Sequence, residues 1–133
     1  MNSVAIVETN VINHPSLCER VREGKRSGTR EFVALIEGVE AGLLIFEHFP
    51  RDSWGLIYEI YVLNEFRGLG IGNLILSHAE NVARDSACKT LRLTARSLDQ
   101  QFIKDDTLMS WYGRKGFIRD TSESSGMLKH LAC

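Results

Sequence analysis

Apolar residues fall in two rhythms along the chain, alternating or continuous runs that read as strands and a spacing of three and four that reads as helix. Val4 to Thr9 reads as a first strand. Asn13-His14-Pro15-Ser16 carries helix-start chemistry, with Ser16 or Asn13 as cap and Pro15 early, and a short helix should run to about Glu23. After a polar loop over Gly24 to Thr29, Glu31 to Glu37 and Leu43 to Phe49 are β-rich, joined through Gly38-Val39-Glu40-Ala41-Gly42 as a hairpin. Pro50-Arg51-Asp52-Ser53 breaks the chain, and Trp54 to Leu63 makes a third long strand. From Gly72 onward Leu74, Ile75, Ala79, Val82 and Ala83 recur at helical spacing, with Glu80, Arg84 and Asp85 elsewhere around the wheel. His78 falls among those apolar positions, where a packing residue is a simpler reading than a ligand.

Thr90 to Ala95 alternates as another strand. Asp105 and Asp106 can cap a short helix whose body is Leu108, Met109, Trp111 and Tyr112 and which ends near Gly113 or Gly116. Phe117 to Asp120 and Met127 to Leu131 suit a closing hairpin around Ser122-Glu123-Ser124-Ser125-Gly126. Strands early, a helix over the sheet, another strand, another helix and a last hairpin predict a mixed, layered α+β domain.

Composition narrows the class. With 133 residues, 44% apolar and 25% charged, the chain suits one domain over residues 1–133 with a real core. No apolar run approaches bilayer length, and the first residues lack the basic start and longer apolar core of a signal peptide, so a cytoplasmic location is expected. Cys18, Cys88 and Cys133 are odd in number and scattered, which fits reduced thiols and implies no metal. A net charge of −1 gives no support for nucleic-acid binding. Arg20, Arg22, Lys25, Arg26 and Arg30 do cluster, diluted by Glu19 and Glu23, either as a solvated helix face or as a rim that meets an acidic acceptor or a coenzyme phosphate.

The densest signal is Arg67-Gly68-Leu69-Gly70-Ile71-Gly72, between the strand-like stretch and the amphipathic helix. Three glycines at every second position free backbone N–H groups of side-chain bulk, and the following helix aims more unpaired N–H groups and its positive dipole end at the same point. A tight turn could use the same glycines without binding anything. The dinucleotide fingerprint is excluded because Asn73 stands where its third glycine belongs, and no Gly-Lys-Ser/Thr follows to make a triphosphate loop.

Headed by Arg67, the run fits Arg-x-x-Gly-x-Gly and resembles the coenzyme A loop of the GNAT superfamily of N-acetyltransferases. The stretch Ile60-Tyr61-Val62-Leu63-Asn64-Glu65-Phe66 before it is similar to that superfamily's fourth strand and loop, with Asn64 where a proline is common. Tyr112-Gly113-Arg114-Lys115-Gly116-Phe117 resembles its late Tyr-x-x-x-Gly-Phe element. The resemblance covers roughly Glu31 to Phe117 and implies a mostly antiparallel central sheet flanked by helices. It is poor over the first thirty residues, where the family usually places two helices and this chain has room for little more than one.

The resemblance further implies direct transfer of an acetyl group from acetyl-CoA, as co-substrate, to a primary amine. Such an amine is almost wholly protonated at neutral pH, so exposing its lone pair costs roughly 4–5 kcal/mol unless the site removes the proton. Glu59 is the candidate base, directly or through an ordered water, although it is equally well a surface strand glutamate. Alternation puts Glu59 and Tyr61 on one face, and a family bulge could exchange them for Tyr58. Some family members place an acidic pair here, and this chain has only one acid. A backbone N–H near Val62 would stabilise the thioester oxygen.

Tyr112 is the candidate proton donor to the departing thiolate, its ordinary pKa of roughly 10 lying above a thiol's roughly 8.5, or else a core residue beside Trp111. For the coenzyme, the resemblance implies that Arg67 pairs with a phosphate, that Gly68, Leu69, Gly70, Ile71, Gly72 and Asn73 surround the pyrophosphate, and that Val62 and Leu63 contact the pantetheine arm through their backbones. Asp105 stands where many relatives carry an asparagine that bonds the arm. The acceptor, a small-molecule amine or a protein amino group, and any homodimer stay open. The alternative function is a non-catalytic coenzyme A-binding sensor or interaction module.

Overall fold

The computed structural model describes residues 3–95, 104–122 and 126–131. Their strands form one seven-stranded sheet in the order β1-β2-β3-β4-β5-β7-β6, comprising β1 Val4–Glu8, β2 Thr29–Ile36, β3 Val39–Phe49, β4 Trp54–Val62, β5 Thr90–Thr94, β6 Ile118–Arg119 and β7 Gly126–His130. Only β4 and β5 run parallel, and every other neighbouring pair is antiparallel. The α+β expectation holds, and the parallel pair follows from the crossover helix α2, Ile71–Asp85, between β4 and β5.

α2 lies on one face of the sheet. Its Ile71, Ile75, Leu76, Ala79, Val82 and Ala83 are buried and join Phe32, Ala34, Leu44, Phe46, Ile57, Leu91 and Leu93 in the larger core. Each large side chain removed from water there contributes about 1.5–3 kcal/mol. The opposite face carries a smaller core of Leu17, Val33, Leu43, Ile45 and Leu63 beneath α1, Pro15–Gly24, whose one fully buried residue is Leu17. A third helix, α3 Asp105–Arg114, precedes β6.

Boundaries differ from expectation where a local signal was outcompeted. The hairpin between β2 and β3 turns on Glu37 and Gly38 alone, both with positive φ (49° and 84°), so Val39 to Gly42 belong to β3 and Ala41 becomes a bulge opposite Ala34/Leu35. His14, not Ser16 or Asn13, caps α1: its Nδ1 accepts from the Ser16 N–H at 3.1 Å. The Glu40 carboxylate meanwhile accepts the N–H groups of Asn13 at 2.9 Å and His14 at 2.6 Å. Lys104 takes the cap position of α3, and Asp105 and Asp106 fall in its first turn, where they complement the dipole. The loop expected between the last two strands includes residues 123–125, outside the described residues.

Candidate active site

The parallel ladder of β4 and β5 runs from Trp54↔Thr90 to Ile57↔Leu93 and stops. β4 continues to Val62 with β3 as its partner on the other side, so among the described residues no strand pairs with its free edge beyond Ile57. At the point of divergence β4 carries a bulge: Ile45 pairs with Glu59 and Phe46 with Ile57, leaving Tyr58 as the extra residue. The bulge adds Tyr58 to the α1 face and does not exchange it for Glu59 and Tyr61. Ile57, Ile60 and Val62 pack on the α2 side, whereas Tyr61 packs against the smaller core on the α1 side.

After β4, a single 3-10 turn over Asn64–Phe66 leads to the glycine loop. Gly68 and Gly70 hold φ of 83° and 81°, a conformation that strains any side chain. Gly70 is the N-cap of α2 without a side-chain cap bond, and the first bond into the helix is Leu74 N–H to the Gly70 carbonyl, 3.3 Å. The amides of Ile71, Gly72 and Asn73 thus precede the intrahelical ladder. A Cβ at Gly68, Gly70 or Gly72 would meet nothing within 4 Å, and Leu69 is 61% exposed. Bare amides, a helix dipole and open space in one place are suited to an anion.

Arg67 also braces this loop. Its Nε donates to the Val62 carbonyl at 3.0 Å and its Nη1 to Asn64 Oδ1 at 3.4 Å, and its guanidinium lies 5.6 Å from the Tyr61 ring centre. The Leu63 backbone is already engaged within the protein, with a second lone pair left on its carbonyl. Its N–H donates to the Ala41 carbonyl at 2.8 Å, its carbonyl accepts from Phe66 N–H at 2.9 Å, and its side chain is buried. Because bonding alternates along an antiparallel ladder, the Leu63–Ala41 bond turns the Val62 N–H away from β3 toward the free edge.

Glu59 is 8% exposed, so the surface reading fails. Both its oxygens accept from Arg20 on α1, Nε to Oε2 at 2.8 Å and Nη2 to Oε1 at 2.8 Å. Glu59, followed by burial as an opposing effect, holds the Arg20 guanidinium above its ordinary pKa. Arg20 also lies 5.9 Å from the Tyr61 ring centre and 3.6 Å from Glu23. In the sequence Arg20 was one member of a basic stretch, and no spacing joins it to a residue 39 positions away. A proton taken directly by Glu59 would have to reach a lone pair that Arg20 leaves over.

Tyr112 is buried near the end of α3, edge-on to Trp111 at 4.9 Å and to Phe117 at 5.6 Å, in the same core as Ile71, Leu93 and Ala95. Burial pushes its phenol well above the ordinary range. A phenol raised above the thiol holds its proton more tightly than a thiol does, so such a group can donate a hydrogen bond to a thiolate but does not give up its proton to it completely. His78 is half-buried and edge-on to Phe32 at 5.2 Å, the packing role expected.

The family model of the acetyltransferase (GNAT) domain matches residues 27–119, from the loop before β2 through β6. The chain belongs to the GNAT acetyltransferases. Membership makes it an N-acetyltransferase by class, and solved structures share its fold. The IAA acetyltransferase of Bacillus cereus is 20% identical with a TM-score of 0.70, over 97% of this chain and 100% of that one. N-acetylglutamate synthase of Neisseria gonorrhoeae, complexed with coenzyme A and N-acetyl-glutamate, is 15% identical with a TM-score of 0.72, over 98% of this chain and 36% of that one. The PaiA N-acetyltransferase of Thermoplasma acidophilum, in complex with coenzyme A, is 18% identical with a TM-score of 0.60, over 84% of this chain and 65% of that one. No curated protein matches the chain in sequence. Among the described residues no helix is long and apolar enough to cross a membrane, and no cluster of side chains suits a metal ion.

Proposed function

We propose that this GNAT chain transfers the acetyl group of acetyl-CoA directly to a primary amine, of a small molecule or of a protein, in the cytoplasm. The observation that carries the reading is the anion site at the start of α2, open to solvent and set beside the free edge of β4. The site fits the coenzyme's pyrophosphate in donor chemistry and in room. When bound, acetyl-CoA supplies the activated acyl carbonyl.

The backbone from Gly68 to Asn73, with Leu69 and Ile71 contributing amides only, surrounds the phosphates. Arg67 adds charge while bracing the turn. The Val62 N–H, directed at the free edge, lines the pantetheine arm and donates to the thioester oxygen. Tyr112 donates a hydrogen bond to the departing sulfur. Glu59, fixed by Arg20, accepts a proton only through an ordered water on a remaining lone pair, and otherwise serves as a buried charge that shapes the acceptor side.

Gly72→Asp tests the reading without unfolding the loop. Gly72 lies in open space within the first turn of α2, where aspartate suits both helix and dipole but repels a phosphate. Acetyl-CoA should raise the melting temperature of the wild type, by about 2.7 kcal/mol of stabilisation at a hundredfold excess over Kd, and should leave Gly72→Asp unchanged. Acetyl-CoA consumption across amines, amino acids, antibiotics and peptides then separates an enzyme from a coenzyme-binding module, because a module shifts its melting curve and consumes nothing.

A further inference from the structure

The sheet ends in two edges of opposite character. At one end β6 is two residues long, and an edge that short gives a neighbour little to pair with. At the other, β1 reads Val4-Ala5-Ile6-Val7-Glu8, with neither Pro nor Lys and with no bulge in its register with β2. Proline, lysine and bulges are what ordinarily blunt an edge. The ladder fixes which groups β1 shows. The Glu37 N–H donates to the Ser3 carbonyl at 3.0 Å and the Thr9 N–H to the Glu31 carbonyl at 3.0 Å, so Ser3, Ala5, Val7 and Thr9 bond to β2 while the N–H and C=O groups of Val4, Ile6 and Glu8 point outward. Among the described residues no strand pairs with that side. Apolar surface adjoins it on the α1 face: Val7, Val11 and Val39 are 40%, 67% and 55% exposed around an open hollow that Val33 and Leu35 also line.

We infer that β1 seats a second copy of this chain, the two β1 strands running antiparallel and symmetric about Ile6. Ile6 then faces Ile6 of the second copy, Val4 faces its Glu8 and Ala5 faces its Val7. Every outward N–H meets a C=O in this register, and the contact is isologous. Charge selects it. A slide of the symmetry point from Ile6 to Glu8 would set the two Glu8 carboxylates directly opposite each other, which is unfavourable. Centred on Ile6, each Glu8 stays with its own Arg30, 2.8 Å away, and meets an apolar neighbour. Ala5 and Val7 of each copy cover the exposed flank of the other. A ladder of five residues a side lies at the small end of specific interfaces, so the dimer is reversible, with a Kd on the order of 10–100 μM. The coenzyme loop takes no part in it.

The test is sedimentation velocity of the full chain from about 2 to about 200 μM, where the wild type should pass from monomer to dimer. The amides of Val4, Ile6 and Glu8 should exchange hydrogen about fivefold more slowly at the upper concentration. Glu8→Pro deletes an outward N–H that β2 does not use, and should stay a folded monomer throughout by circular dichroism and sedimentation. Glu8→Ala keeps that N–H and should dimerise as the wild type does. Val7→Lys, at an exposed position on the flank, should weaken the dimer about tenfold and gives a second break that leaves the backbone alone. A wild type that remains monomeric overturns the inference and leaves the edge to a strand of a different protein. Dimers whose Ile6 amide exchanges as fast as in the monomer overturn it in favour of another surface, and so does undiminished dimerisation of Glu8→Pro.

Discussion

The two faces of the sheet are built on different physics. On the α2 face, a fifteen-residue helix buries six apolar side chains against four central strands, and its N-terminus emerges as a bare, rigid donor array. On the α1 face, a ten-residue helix has one fully buried residue, Leu17, and is joined to β4 by the Arg20–Glu59 ion pair. An apolar interface tolerates no slack, whereas an ion pair holds a small helix in one orientation with little core beneath it. The α2 face is therefore a fixed platform, and the α1 face depends on a polar pair to hold its helix.

Truncation on each face gives the largest contrast. Ile75→Ala, at a fully buried position in the middle of α2, should cost about 4 kcal/mol because rigid strands and helix cannot collapse into the cavity. Leu17→Ala, also fully buried, should cost nearer about 2–3 kcal/mol, since the short α1 can settle toward the sheet. Urea unfolding at equilibrium measures both, and equal costs would erase the distinction between the faces.

Arg20 gives the next effect. Arg20→Ala leaves the Glu59 carboxylate buried without its partner, at about 2 kcal/mol, less than a fully buried pair because the Arg20 side chain is 25% exposed. The double change Arg20→Met with Glu59→Leu should recover most of that loss in the same unfolding measurement. Nothing of the kind would rescue Ile75→Ala.

The contrast also explains what could be read from the chain. The α2 face was legible because its rules are local: Ile75, Ala79, Val82 and Ala83 repeat at helical spacing and are buried, although Leu74, counted with them, is exposed, and the glycines after Arg67 need only their own backbone freedom to make the loop. Two short motifs in the right order, Arg67 to Gly72 and Tyr112 to Phe117, sufficed to point to the family. The α1 face was not legible because its contacts are distant in sequence. Arg20 meets Glu59, Glu47 meets Tyr58 across a bulge, and Glu40 takes the amides of Asn13 and His14. The cap of α1 fell to His14, whose own N–H is taken by a carboxylate 26 residues away, and a two-residue turn lengthened β3 at the expense of the hairpin loop. Side chains that pair across strands follow register, and register here includes two bulges that no residue type announces.

In the core on the α2 side, Tyr112 should affect turnover and leave coenzyme affinity alone. Tyr112→Phe removes one hydroxyl from a buried ring and should lower kcat about tenfold with KM for acetyl-CoA unchanged. Since burial raises the phenol above its ordinary range, the wild type should show no loss of kcat from Tyr112 ionisation up to about pH 10. A descending limb near neutrality that disappears in Tyr112→Phe would contradict this account of the site.

His78 yields the smallest effect, and it probes how dry the α2 face is. Its imidazole packs edge-on to Phe32, and burial, followed by the charge of Arg30, lowers its pKa while Asp85 and Glu8 oppose them. A folded pKa below the unfolded value of about 6.5 means that the unfolded chain binds the proton more readily, so this contribution is complete above about pH 6.5 and is lost as pH falls through the folded pKa. The Glu8 carboxylate, held low chiefly by Arg30, loses its contribution only at more acid pH, below the range just under about pH 6.5 in which the His78 contribution is lost. Melting temperature should fall across that range in the wild type and fall less in His78→Leu. Parallel curves would mean that water reaches the imidazole and that the α2 face is wetter at its β1 end than at its centre.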